Sequence, residues 1–194
     1  MKRYVVVVLF LISFSAFGQM NGPIIPPLDK SPLDMSYYPV NYPILKIQNK
    51  ISEPLVMRVI YSRPQVDGRK IFGGLQNYGE VWRLGANEAT EIDFYKDVKI
   101  NNTKIKKGRY TLYAIPYPDK WTLIVNKETD TWGSFRYDST KDVVRMDLPV
   151  IKNGPTEDMT IVFEKSLSGA SMSMYWADVK TTLPIVFLDK PLIP

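Results

Sequence analysis

DVKINNTKIKKGRYTLYAIP, Asp97 to Pro116, decides the fold class. Apolar Val98 and Ile100 alternate with lysine, and Ile105 resumes the alternation after Asn101-Asn102. Asparagine tolerates positive φ, so the pair suits the tight turn of a β-hairpin. Gly108 then precedes another strand, Tyr110 to Ile115. The same period of two recurs across the chain. Leu55, Met57, Val59 and Tyr61 show it first, followed by Trp121, Leu123 and Val125, then Val144, Met146 and Leu148. Met159, Ile161 and Phe163 follow, and then Met172, Met174 and Trp176. Each is the pattern of a half-buried strand. Short strands separated by Gly, Asn, Asp and Pro predict an all-β fold, an antiparallel β-sandwich of jelly-roll-like kind. Little helix is expected; Asn87 to Thr90 has room for one short turn.

Upstream, the chain opens MKRYVVVVLFLISFSAFGQ. A short basic region, an apolar run and a small-x-small pattern at Ala16-Phe17-Gly18 are the grammar of a signal peptide. The run is short for a membrane span, which needs about 20 residues. Residues 1–18 are therefore expected to be removed, leaving a periplasmic or secreted protein with no membrane span. Residues 19–43 are Pro-rich, with Pro23, Pro26, Pro27, Pro32, Pro39 and Pro43. Proline fixes φ and removes a donor, so this stretch reads as an extended strap rather than helix or central strand. Tyr37, Tyr38 and Tyr42 favour its docking. A single sandwich domain is expected over residues 44–194.

Cysteine and histidine are both absent. Thiol catalysis and a Ser-His-Asp triad are excluded, and thiolate or imidazole metal sites with them. Without Lys2 and Arg3, 23 basic residues face 20 acidic ones, a mature charge of about +3 with no basic stripe. That argues against nucleic acid as a partner. No cofactor is indicated. NKETDTWGS, from Asn126, holds oxygen ligands but lacks the full calcium-loop pattern, so no metal is expected.

The least strand-like region is YSRPQVDGRKIFGGLQNYGEVWRLGANEAT, from Tyr61. Arg63, Arg69 and Arg83 lie there among five glycines. Arginine presents a planar fork of donors suited to carboxylate, phosphate or polyol oxygens, and loops on a rigid scaffold often carry function. One reading is a binding site for an anionic or polyhydroxylated small molecule. Arg63, Arg69 and Arg83 would engage it, Asn87 and Glu88 would orient it, and Trp82 or Trp132 would supply an apolar wall. The other reading is structural: Arg83 pairs with Glu88, Asn87 caps a turn and Trp82 fills the core. The loop Lys127 to Asp138, with Trp132, Phe135, Arg136 and Tyr137, either stacks a ligand ring or plugs the open end of the sandwich. A structural or interaction domain of the cell envelope is a further alternative. For an enzyme the tools would be Glu80, Glu88, Glu91 and Asp93. A carboxylate-based hydrolase would need two of them about 5 to 10 Å apart across a cleft.

YSRPQVDGRKIFGGL, YGEVWRLGANEAT, KKGRYTLYAIP, WTLIVNKETDTWGSFRYD and TIVFEK resemble, in that order, the exported domain-of-unknown-function 2911 family. The resemblance covers roughly residues 56–187. Its most recognisable positions match Ser62, Arg63, Gly68, Arg69, Phe72, Gly73, Trp82, Arg83, Gly85, Asn87 and Glu88. It implies an exported β-domain and marks the same loop, but brings no activity, substrate or cofactor.

Overall fold

The computed structural model describes residues 23–188, so the signal-peptide reading of residues 1–18 lies outside the described residues. Among the described residues ten strands form two antiparallel sheets packed as a sandwich. In chain order they are β1 (Leu33–Tyr38), β2 (Met57–Ser62), β3 (Glu91–Phe94), β4 (Val98–Ile100), β5 (Thr103–Ile105) and β6 (Gly108–Pro116). After these come β7 (Lys120–Asn126), β8 (Asp142–Pro149), β9 (Ile151–Lys165) and β10 (Gly169–Phe187). The larger sheet runs β1-β2-β3-β6-β7-β8 and the smaller β5-β4-β10-β9.

The hairpin read from Asp97–Pro116 forms as expected. Val98 pairs with Ile105 and Ile100 with Thr103, and both turn asparagines sit at positive φ, 45° and 62°. Gly108, at φ 150°, is the point where the chain leaves the smaller sheet and enters the larger one as β6. The alternation holds in phase: Met57, Val59 and Tyr61 are buried from β2, and Met159, Ile161 and Phe163 from β9. Burying one face of each strand is what fixes register, since a slip by one residue would turn every apolar side chain to water.

Part of the strap is strand. Leu33–Tyr38 pairs along β2 as an edge strand, from Leu33 opposite Ser62 to Tyr38 opposite Met57. An edge is where a Pro-flanked segment can pair without breaking a ladder. The little helix expected is a single short α-helical element among the described residues. Tyr42–Ile47 forms a short helix, α1, with proline in its first turn. Proline there has its φ preset and sacrifices no intrahelical bond.

Past Ser62 the chain crosses from one sheet to the other. The Val66 N–H donates to the Glu157 carbonyl at 3.0 Å, and the Met159 N–H to the Pro64 carbonyl at 3.0 Å, which closes that side of the sandwich. Opposite, the Thr181 hydroxyl donates to the Pro149 carbonyl and the Asn101 amide to the Arg145 carbonyl. At one end of the core lie Phe72, Trp82, Trp121 and Trp176. Trp82 and Trp176 stack with centroids 5.6 Å apart, and Phe72 packs edge-on against both. Ring pairs of this kind add to area burial by about 0.5–1.5 kcal/mol each.

Trp82→Ala should therefore lower unfolding stability by about 3–5 kcal/mol, the usual cost of emptying a buried tryptophan site. Urea denaturation of wild type and variant measures it. A loss below 1 kcal/mol would mean that the cluster is not a keystone of the core.

Candidate functional site

The edge of β6 that faces β3 is served by two separate pieces of chain. β3 covers only Gly108 to Thr111. Thr90 continues the line by accepting from the Leu112 N–H at 2.8 Å. At the next place stands Trp82, which exchanges two bonds with Ala114, at 2.7 and 2.9 Å, and the Gly79 N–H then reaches the Pro116 carbonyl. Residues 83–89 are thrown out of the strand line as a loop. The Thr90 N–H closes it on the Arg83 carbonyl at 3.0 Å, and the Thr90 hydroxyl on the Leu84 carbonyl at 2.5 Å. The Trp82 indole N–H reaches the Gly85 carbonyl at 3.0 Å. A side chain at Gly85 would lie 3.3 Å from the Ser62 carbonyl, so this turn passes close to β2. Asn87 sits at φ 56°, which asparagine accepts, whereas fully buried Leu84 is held at φ 53°. A branched residue in that region stores about 1–3 kcal/mol of strain, and such strain gathers at sites that use it.

The loop that follows β7 folds over this excursion. Ala89 N–H donates to Thr131 O at 3.0 Å and Gly133 N–H to Asn87 O at 2.9 Å, while Glu88 and Trp132 form an isolated bridge. The Ser134 hydroxyl holds the Val81 carbonyl, the Thr111 hydroxyl holds the Glu128 carbonyl, and the Tyr113 and Thr131 hydroxyls meet at 3.1 Å. Together the two segments cap the outer face of the larger sheet. Beneath them Ala89, Tyr113 and Ile124 make a second small core, with Val81, Ile115 and Tyr137 against it. This is why Ile124 is buried although its neighbours Leu123 and Val125 face the main core.

The predicted site residues are not brought together as one set. Arg63 is a structural tie: its guanidinium donates to the Met159 carbonyl, the Thr160 hydroxyl and the Asp34 carboxylate, joining β1, the end of β2 and β9. Arg69 binds the carbonyls of Val66 and Gln65 in its own loop. Trp82 is core. Arg83, Asn87 and Glu88 share the excursion, with Trp132 beside them on the partner loop. Arg83 and Glu88 form no ion pair, and the side chains of all three make no hydrogen bond among the described residues. The Arg83 guanidinium is half-buried with its Nε shielded and unsatisfied, and burial alone pushes its pKa down from the ordinary value. Trp132 is 62 % exposed and Phe135 84 %, so neither plugs the sandwich.

The carboxylates weighed for hydrolysis are mostly spoken for. Asp93 pairs with Arg58 at 2.6 Å, Glu91 pairs with Arg109 and accepts the Asp130 N–H, and Glu80 accepts from the Asn77 amide. Oxygen atoms of the stretch from Asn126 also hold their own loop, where Asn126 accepts the Glu128 N–H. No group of three or more acidic side chains suited to a metal ion occurs among the described residues.

The model of the family described as "Protein of unknown function (DUF2911)" matches residues 43–185. The chain belongs to that family. No curated protein and no solved structure matches it. The DUF2911 region takes in the excursion, its cap and both closures of the sandwich, and β1 precedes it.

Within the DUF2911 domain a larger cleft, about 520 Å³, opens at the sandwich end that holds the aromatic cluster. The sequence marked only Arg69 there. Its walls come from the glycine-rich loop, the β6–β7 turn, the start of β9 and the middle of β10, stretches far apart in the chain.

The cap is fastened at its far end by Tyr137. Its hydroxyl donates to Asp142 at 2.6 Å and accepts from Arg145 at 2.5 Å. Burial, then the bond to Asp142, push its pKa up from 10.0 to about 12. A raised folded-state pKa gives stability that is complete below the unfolded value and lost on passing the folded one. The stability difference between wild type and Tyr137→Phe should thus be constant below about pH 10 and shrink as pH rises towards 12. Urea titrations across pH 8 to 12 would detect it; a difference that grows with pH would show that the hydroxyl is not the cap's fastening.

Proposed function

We propose that this is an exported, non-catalytic β-domain that binds a small anionic or polyhydroxylated molecule at the cap. Arg83 takes the ligand's carboxylate, phosphate or diol oxygens, Asn87 and Glu88 orient it, and Trp132 gives an apolar wall. Export rests on the leader-like N-terminus. The observation that carries the binding reading is the Arg83 guanidinium, half-buried, with Nε shielded and no acceptor or counter-charge among the described residues. A buried donor left unsatisfied costs about 1–3 kcal/mol, more when charged. A chain gains from carrying that cost only if something else completes the group. A ligand that does so gains a charge-assisted fork in a partly desolvated setting, where such bonds are strong. Arg63, each of whose three guanidinium nitrogens already donates to β1 or β9, is left out of the ligand set.

An interaction domain of the envelope is the second reading, favoured by the exposure of Trp132 and Phe135 on the same cap. Isolated exposed aromatics are ordinary, but two beside unpaired polar groups fit an interface core.

Arg83→Met separates function from fold. Methionine keeps much of the volume and removes the unpaired charge. The variant should be more stable than wild type by about 1 kcal/mol in urea, since replacing a strained polar site by an apolar one is often stabilising. It should also lose any saturable thermal shift given by phosphate, citrate or a polyol. Destabilisation by 2 kcal/mol or more, with ligand shifts intact, would make Arg83 a structural residue. Loss of partner capture on Trp132→Ala, with no small-molecule shift in wild type, would favour the interface instead.

A further inference from the structure

We infer that the cleft at the end of the sandwich is a second binding site, and that its ligand is an acidic sugar. The site is distinct from the cap and does not depend on the reading given for Arg83.

The cleft has a built aromatic frame. Phe72 and Trp121, both buried, form its floor, and they belong to the cluster that closes this end of the core. Tyr78 and Tyr117 line it while remaining 42 % and 37 % exposed. The Tyr78 ring lies over Gly73, and the Tyr117 ring stands beside Gly79. A Cβ on Gly73 would lie 2.6 Å from the Tyr78 ring, and Gly73 itself is at φ 72°. A Cβ on Gly79, at φ 77°, would touch the Tyr117 ring at 3.8 Å. At Gly73 only glycine supplies both the backbone conformation and the space. A ring packed as closely as Tyr78 is on Gly73 has less side-chain entropy left to lose on binding. The hydroxyls of Tyr78 and Tyr117 make no hydrogen bond among the described residues.

The charges choose the ligand. Lys152 is paired with Asp178 at 2.5 Å, and Arg69 is turned into its own loop. Lys70 has neither an ion pair nor a hydrogen-bonded side chain among the described residues. It is the cation left for an incoming acid. Glu157, whose Oε1 accepts the Asp67 N–H, and Asp178, whose Oδ2 accepts from Lys152, line the same cleft, and the second oxygen of each can accept a bond from a hydroxyl group. A ligand must then combine one acidic group, several hydroxyl donors and an apolar face for the tyrosine rings. A sugar acid has all three. A volume of about 520 Å³ lies inside the range of about 300–1,000 Å³ of small-molecule sites. The backbone beside the cleft is also special. Ala177 sits at φ 53°, and the pairing of β9 with β10 shifts register on both sides of it. Bulges re-aim side chains and are frequent beside binding sites. This one sets Asp178 against Lys152.

Titration calorimetry of the full chain with trigalacturonate, maltotriose and tetraglutamate tests the inference. Trigalacturonate should bind saturably and at least tenfold more tightly than the neutral trisaccharide. Lys70→Ala and Tyr117→Ala should each weaken it at least tenfold, while Lys107→Ala, on an exposed lysine elsewhere, should leave it unchanged. Thermal denaturation of each variant checks folding. If Tyr117→Ala is unfolded, Tyr117→Leu takes its place. Three results would overturn the proposal: no saturable binding of trigalacturonate by wild type, equal or tighter binding of tetraglutamate, or binding that survives both Lys70 and Tyr117 variants.

Discussion

Two hydrogen bonds between Trp82 and Ala114 hold the centre of this structure. They put a residue from outside β3 into the strand line beside β6, and everything near the cap follows. Because Trp82 occupies that place, its indole enters the core and stacks on Trp176. Val81 is consequently turned to the outer face, where it helps cover Tyr113 and Ile124. Because Thr90 takes the adjacent place, the chain between them has to leave the sheet and return within seven residues. The strained Leu84, the close approach at Gly85 and the left-handed Asn87 are the means of that return. A strand interrupted in the middle of a sheet is an expensive way to connect two residues. It is a direct way to lift polar side chains above a rigid surface.

The same constraint explains why three arginines of similar sequence context have different fates. Arg63 leaves β2 where the two sheets meet, so carbonyl and hydroxyl oxygens from β9 and a carboxylate from β1 lie within reach. Its charge is absorbed by the closure of the sandwich. Arg69 stands in a tight loop whose own carbonyls turn towards its fork. Arg83 sits at the root of the excursion, where neighbouring backbone groups already bond one another. Its carbonyl is used by Thr90, and the carbonyl of Val81 by Ser134. Its guanidinium has no hydrogen-bond partner among the described residues.

How much of this was legible in the sequence depends on how local each feature is. The strands were readable because burial of one face imposes period two on Met57 to Tyr61 or Met159 to Phe163 regardless of partners. The Asn101-Asn102 turn was readable because positive φ is a property of the residues themselves. Helix α1 was hidden, since six residues with no buried side chain leave no periodic trace. The excursion was hidden for another reason. Its ends are set by Ala114 and Leu112, residues more than 20 positions away, and the sequence between Trp82 and Thr90 carries no period. Trp132 and Phe135 were ambiguous because aromatic residues serve cores and surfaces alike. Only the cap's path over β6 places them outside. The end cleft could not be assembled from sequence at all, because its walls come from four distant stretches.

Among the described residues, the non-glycine positions at positive φ are Asn or Asp, for which that region is ordinary, except at Leu84 and Ala177. Neither exception is at a tight hairpin turn, where strain would have a simple geometric cause. Leu84 lies directly after the unpaired Arg83, and Ala177 directly before Asp178 at the wall of the cleft. Glycine at either place would relieve the strain, yet would also surrender apolar contact, buried at Leu84 and partly buried at Ala177, and loosen the adjoining polar residue. Strain kept in a side chain's immediate neighbour fixes the direction in which that side chain projects. At Leu84 the left-handed backbone turns the chain out of the sheet and back to Thr90, and at Ala177 it accommodates the bulge between β9 and β10; in both places the same constraint also holds the polar neighbour, Arg83 or Asp178, where it stands.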